Sequence, residues 1–284
     1  MPFASRLPLR PLPAAVLACC LSLAGCATSG GAPGTGAPAT AVPSGHVAPP
    51  EAGAGFDYQI GGAYRPAAGV TVVSRDRTSP AAAGHYNVCY VNAYQAQPDA
   101  VDWWRDHHPD LLLRDHAGHE VVDEDWQEPL LDISTPGKRT ALLAVERPWI
   151  EGCAKNGFQA VEPDNLDSYT RSHGLLDKAD AVAFARLLTG RAHAEGLAVG
   201  QKNTTEVLDQ QGRTHFDFAV AEECAEYDEC GEYARTYHEH VLVVEYTRSG
   251  FHRACEDWGS KLSVVLRDRD VTPRGKHGHV FARC

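Results

Sequence analysis

From about residue 55, short apolar runs return at intervals too long for hairpins. They are VTVVS (70–74), YNVCYV (86–91), PLLDI (129–133), FQAV (158–161), LAVGQ (197–201), FDFAVA (216–221), VLVVEY (241–246) and LSVVL (262–266). FDYQI (56–60) makes a ninth. The runs are continuous and Val-rich, as strands covered on both faces are, and this predicts parallel strands under helices. The intervals carry helical patterns. In DKADAVAFARLLTGRAHAEG (177–196), Ala181, Phe184, Ala185, Leu187 and Leu188 recur at helical spacing, and Gly196 closes the segment. RTALLAVERPWIEGCAKNG (139–157) is similar, with a kink or break expected at Pro148. Eight such strands alternating with helices have the size and rhythm of an α/β fold of the (β/α)8 TIM-barrel type. An open doubly wound sheet is the competitor, but no GxGxxG follows an early strand.

The N-terminus reads differently. Arg6 and Arg10 precede the apolar stretch PLPAAVLACCLSLAG (11–25), too short to span a bilayer comfortably. It ends in Leu23-Ala24-Gly25-Cys26, which resembles a bacterial lipobox. The expected division is a lipoprotein signal peptide over 1–25, a lipidated Cys26 heading a Gly/Ala/Pro-rich linker over 26–54, and one folded domain over 55–284. An ordinary secretory signal with a chance cysteine is the alternative. Both predict export, either anchored at the extracytoplasmic face or released.

Cleavage after Gly25 removes two arginines and takes the formal charge from −11 to −13. Six cysteines remain: Cys89, Cys153, Cys224, Cys230, Cys255 and Cys284. An even number in an oxidising compartment predicts three disulfides. Proximity favours Cys224 with Cys230, a clamp on the C-terminus favours Cys255 with Cys284, and Cys89 with Cys153 is the remainder; the other pairings stay open. The acidic balance argues against nucleic acid as a partner and suits a neutral or cationic substrate. A monomer is expected.

In barrels the chemistry lies just past the strand ends. There the chain places Arg75 and Asp76; Tyr90, Asn92 and Tyr94; Asp132; Glu162, Asp164 and Asn165; Lys202 and Asn203; Glu222 and Glu223; Glu245 and Tyr246; Arg267 and Asp268. Polar loops explain any one of these, but carboxylates at most of the ends suit glycoside cleavage. That reaction needs one carboxyl as acid and a second as nucleophile or base, in environments that separate their pKa values. Tyr58, Tyr90, Tyr94, Trp126, Tyr169 and Tyr246 are candidate stacking faces for sugar rings, or simply core and rim aromatics. The pairs His107-His108, His238 with His240, and His277 with His279 show no HExxH spacing, and DNLD lacks the EF-hand pattern, so no metal or cofactor is expected. The sequon Asn203-Thr204-Thr205 lies at a predicted strand mouth and reads as coincidence.

FDYQIGGAY, YNVCYVNAY, FQAVEPDNLDSY, GLAVGQKN, FDFAVAEEC and VVLRDRDV, in that order over residues 56–284, together resemble glycoside hydrolase family 114. The resemblance implies a (β/α)8 barrel with endo-α-1,4-polygalactosaminidase activity. It implies a catalytic Asp after the fourth strand and a Glu after the sixth, matching Asp164 and Glu222, with Glu223 as the adjacent ambiguity. Strand side chains alternate, so one of the two glutamates should face inward. The expected roles are Asp164 as nucleophile and Glu222 as acid/base in a retaining mechanism. Tyr58, Gln59, Asp76, Tyr90, Asn92, Asp132, Glu162, Asn165, Lys202, Glu223, Glu245, Tyr246, Arg267 and Asp268 are the expected substrate-binding set. Glu162, two residues before Asp164, would either pair with Lys202 or raise a neighbour's pKa. A galactosamine polymer is cationic, which would give the acidic surface a purpose. Two alternatives remain: a surface lipoprotein that binds polysaccharide without cutting it, and a hydrolase of another α-linked polymer.

Overall fold

The computed structural model describes residues 47–284. The signal peptide, Cys26 and most of the expected linker lie outside the described residues. Eight parallel strands stand side by side in sequence order: β1 (Phe56–Tyr58), β2 (Val72–Asp76), β3 (Tyr86–Asn92), β4 (Ala160–Asp164), β5 (Ala198–Lys202), β6 (Phe218–Glu222), β7 (Val241–Glu245) and β8 (Ser263–Arg267). A short β9 (Phe281–Arg283) pairs antiparallel with β8. Across the seam between the first and last barrel strands, Arg267 Nη1 lies 3.5 Å from Asp57 Oδ1, with both side chains fully buried. The architecture is a TIM barrel.

The pleat sorts the side chains into two cores. Phe56, Tyr58, Val72, Val88, Ala160, Ala198, Phe218, Val220, Leu242, Val244 and Val265 form the barrel interior. The intervening Cys89, Val91, Val161, Val199, Ala219, Ala221 and Val243 pack outward with the helices. This period of two carries each inward file up to the strand end. Ala160 and Glu162 lead to Asp164, and Phe218 and Val220 lead to Glu222. The interior is filled unevenly. A Cβ on Gly200 would come within 2.8 Å of the Phe218 ring, so that glycine makes room for the phenyl group.

Beyond a short α1 (Val101–His107), two longer helices lie in the outer layer. In α2 (Pro136–Lys155) Thr135 caps the first turn. The helix continues unbroken through Pro148, where a kink or break is expected. Pro148 and Ala144, whose carbonyl loses its amide donor, are both exposed, so water can take that place. In α3 (Lys178–Ala194) Asp177 and Asp180 form a reciprocal capping box.

The structure revises two strand assignments. FDY, counted above as a ninth candidate, is the first barrel strand. PLLDI is not a barrel strand. Leu130 and Leu131 are buried, but they belong to a long excursion between β3 and α2, bridged antiparallel to Gln95 and Leu112. Just before them, Val122–Asp123 and Glu128–Pro129 form a two-residue hairpin ladder. An apolar run buried under an insertion has the same composition as a barrel strand, and periodicity does not separate them. The two revisions cancel, so Asp164 still ends the fourth strand and Glu222 the sixth.

The last eight residues of the expected linker are docked. Ala48 O accepts from the Tyr86 hydroxyl at 2.7 Å, and Pro50 O lies 2.9 Å from His240 Nδ1. Val47 packs against the interior cluster. Among the described residues three disulfides form, Cys89–Cys153, Cys224–Cys230 and Cys255–Cys284. Among the described residues no helix is long and apolar enough to cross a membrane.

Candidate active site

At the C-terminal end of the barrel one ammonium organises the carboxylates. Lys202 Nζ lies 3.1 Å from Asp164 Oδ1, 3.3 Å from Glu222 Oε2 and 3.3 Å from Glu162 Oε1. The lysine is almost wholly buried. Burial alone would lower its pKa, but Asp164, Glu222 and Glu162 outweigh that and hold it well above the usual lysine range.

Residues immediately past β4, β5 and β6 turn sharply outward. Asn165, Asn203 and Glu223 have φ of 66°, 46° and 56°, a region that Asn enters more readily than most residues. The turn at Asn165 aims its backbone N–H at Asp164 Oδ1, 2.7 Å away. Burial would raise the Asp164 pKa. The Lys202 charge, the Asn165 amide and hydrogen bonds from Tyr90 and Lys202 prevail, and the carboxyl is held below the usual aspartate range. It is therefore an ionised group at neutral pH, as a nucleophile must be.

Glu222 sits in a different set of partners. Asn203 Nδ2 donates to Oε2 at 3.0 Å, the Glu222 backbone N–H donates to Asn203 Oδ1 at 2.8 Å, and the Tyr246 hydroxyl donates to Oε1. The Asp164 and Glu222 side chains are 16% and 23% exposed. The neighbouring Glu223 lies beyond the strand end and binds Arg269 at the rim, 2.8 Å away.

Beneath them, Glu162 is sealed. It accepts from Tyr58 at 2.7 Å and Ser74 at 2.8 Å and pairs with Lys202. Burial pushes its pKa up to about 7, against the opposing Lys202 charge.

Three adjoining hollows form a groove over this floor. The central one, about 310 Å³, is lined by Asp76, Tyr90, Glu128, Asp164, Asn165, Lys202, Glu222 and Tyr246 among others. It shares Trp126, Asn203, Glu222, Tyr246 and Arg269 with a second hollow that adds Glu223, Tyr227 and Glu229. It shares Ile60, Gly61, Asp76 and Gln97 with a third, which continues to Arg77, Thr78, Ser79 and Asp99.

Of the expected binding set, Asp76, Tyr90, Asn165, Lys202, Glu223 and Tyr246 line this groove. Asn92 stands behind it, donating to Glu128 Oε2 at 2.8 Å. The rest lie elsewhere. Tyr58 is fully buried below Glu162. Gln59 is bonded to Asp57 and Arg75. Asp132, displaced with the lost PLLDI strand, binds Ser134 and lies 3.3 Å from Lys138. Glu245 falls on the outward phase of β7, where its Oε1 accepts from the Ala225 N–H at 2.9 Å. Arg267 is spent on Asp57 and the carbonyls of Thr272 and Val280. Asp268 caps the loop at Thr272 and Val280. Of the aromatic candidates, Trp126 is 57% exposed over the groove, while Tyr94 is core, edge-on to Phe184. Glu128, Arg171 and Asp167 are groove residues that strand-end reasoning missed.

Among the described residues, the one group with ligand-type atoms close enough to hold a metal is Cys224, Cys230 and Glu245. Its two sulfurs are joined to each other, which leaves no thiolate to bind an ion.

The model of the glycoside-hydrolase family GH114 matches residues 36–284. The chain belongs to glycoside-hydrolase family GH114. This GH114 chain is a glycosidase by family. Its barrel superposes on that of Aspergillus fumigatus Ega3, solved in complex with galactosamine, with a TM-score of 0.67 at 22% identity over 84% of this chain and 98% of that one. The glycoside hydrolase domain of PelA from Pseudomonas aeruginosa gives 0.54 at 15% identity over 78% and 97%. At these identities the likeness speaks to the fold. No curated protein sequence matches the GH114 chain significantly.

Proposed function

We propose that this glycosidase cuts inside an α-1,4-linked, galactosamine-containing polysaccharide, with Asp164 as nucleophile and Glu222 as acid/base. The observation that carries this reading is the single ammonium of Lys202 shared between the two carboxylates at the ends of β4 and β6. Glu222 would protonate the departing glycosidic oxygen while Asp164 attacks the anomeric carbon. Glu222, now a base, would then take a proton from the water that releases the glycosyl-enzyme. The Asp164 and Glu222 oxygens that face Lys202 are no farther apart than their two distances to its Nζ added together. Retaining pairs need the closer of the two known spacings, and a shared ammonium keeps both carboxylates near one point.

A groove of three hollows, with the carboxylate pair in the middle one, suits a long chain bound on both sides of the cut. Charge supports a cationic substrate. The central hollow is lined by the carboxylates of Asp76, Glu128, Asp164, Asp167, Glu222 and Asp270 against the cations of Arg171, Lys202 and Arg269. That a barrel with the same fold was solved with galactosamine points the same way. The LAGC stretch supports export and a lipid on Cys26.

The test is release of reducing ends from partially de-N-acetylated galactosaminogalactan by wild type, Asp164→Asn and Glu222→Gln. Each substitution is expected to lower the rate about 10²–10⁴-fold, and the first product should keep the α configuration. A wild type that binds the polymer without cutting it would make the chain a polysaccharide-binding protein instead.

A further inference from the structure

We infer that Glu128 selects for a sugar carrying a free, protonated amine in the groove beside Asp164. The inference deepens the reading above and rests on it.

Glu128 reaches the groove from the small hairpin between β3 and α2. Only 9% of it is exposed. Its Oε2 is fixed by Asn92 Nδ2 at 2.8 Å and by Asn165 Nδ2 at 3.4 Å. Asn165 is the same residue whose backbone N–H holds Asp164, so the two carboxyls are set relative to each other through one residue. Glu128 Oε1 is different. It has no hydrogen-bond partner among the described residues, yet it is not sealed from solvent, and the residue lines the central hollow. A nearly buried carboxyl thus keeps one oxygen open to whatever enters.

No nearby protein cation is free to take that oxygen. Arg171 is committed to Asp123 at 2.6 Å and Asp167 at 2.7 Å. Lys202 is shared by three carboxylates. Arg269 is held by Glu223. A ligand ammonium would meet an acceptor that the protein has desolvated and left unpaired, the situation in which a charge-assisted hydrogen bond is strongest. Burial, with the Asp164 charge adding to it and the Asn92 hydrogen bond opposing it, pushes the Glu128 pKa up to about 7. A bound cation would draw it back to the ionised form. An N-acetylated sugar offers a neutral amide and a bulkier group at the same place, and leaves the carboxyl without its counter-charge. Trp126, two residues earlier on the hairpin, gives the sugar a ring face, so one insertion supplies both the platform and the charge.

The experiment compares wild type, Glu128→Gln and Glu128→Asp on galactosamine polymers of low and high N-acetylation. It also measures the binding of galactosamine and N-acetylgalactosamine to each protein by calorimetry. Glutamine keeps the acceptor for Asn92 and loses the charge; aspartate keeps the charge and withdraws it. The ratio of kcat/KM on free-amine over acetylated polymer should fall at least about tenfold in Glu128→Gln, with Glu128→Asp between that variant and wild type. An unchanged ratio, or an equal loss on both polymers, overturns the inference. If wild type cuts neither polymer, the hydrolytic reading fails by itself and binding decides. Tighter binding of galactosamine that is lost in Glu128→Gln upholds the role of Glu128. Equal or absent binding of the two sugars overturns it.

Discussion

Lys202 Nζ stands 3.1 Å from Asp164 Oδ1 inside the barrel mouth, and this contact is a main reason that a largely buried aspartate stays ionised. Replacing the lysine by methionine removes the charge and leaves burial to act alone. The Asp164 pKa then rises. In the proposed reaction Asp164 attacks only when ionised, so activity is lost as pH falls through that pKa, and in Lys202→Met the loss should begin at higher pH. A pH–rate profile whose acid limb does not move would refute this account. Glu162 and Glu222 share the same ammonium, so stability should fall too, by about 3–5 kcal/mol.

Glu245 offers a pH effect on stability with no catalytic role in it. The side chain is fully buried, one oxygen accepts from Ala225, and Oε2 has no partner. Gly250 leaves room for it, since a Cβ there would lie 2.3 Å from Oε2. Burial raises its pKa from 4.5 to about 7. The folded state therefore holds the proton more tightly than the unfolded one. Its contribution is full below pH 4.5 and is lost as pH rises through about 7. Glu245→Gln should flatten the stability curve between these values, by on the order of 1–3 kcal/mol. Unfolding midpoints measured from pH 4 to 8 test this, and parallel curves for the two proteins would count against it.

The disulfides should contribute unequally. Cys89–Cys153 closes 64 residues and Cys224–Cys230 closes six. Chain-entropy arguments give about 4 kcal/mol for the first and about 2 for the second. Paired serine variants should therefore rank in that order by denaturant midpoint. The short loop follows the strand that ends in Glu222 and carries the groove residue Tyr227. Its serine variant should lose more activity than stability, and the reverse ranking would show that this staple is not a site device.

Trp126→Ala removes an exposed ring without touching a carboxylate. Stacking on a sugar would be equally present in ground and transition states, so KM should rise about tenfold with kcat little changed. A fall in kcat at constant KM would place the tryptophan in the chemistry instead.

The strand-end residues that the structure brings together at the barrel mouth share one property. Asp164, Lys202 and Glu222 each end a regular strand on its inward phase, where a period of two read from the apolar files Ala160–Glu162 and Phe218–Val220 carries straight to the mouth. Glu245 lies away from the groove because being at a strand end says nothing about phase. Val244 is inward, so its neighbour must face the helices. Asp132 failed because Leu130 and Leu131 are as buried as any barrel residue, and composition does not record which layer buries them. Glu128 left no trace at all. Its strand is two residues long, too short for any periodicity, and its importance arises from Asn92 and Asn165, 36 and 37 positions away.

Ala48 and Pro50 are held by Tyr86, which begins β3, and by His240, which immediately precedes β7. Both contacts are at the lower rim of the barrel, and the carboxylates are at the upper one. The chain therefore joins the barrel at its floor, and the mouth opens on the opposite side. A polymer strand can be taken up and let go at the mouth without meeting residues 47–54.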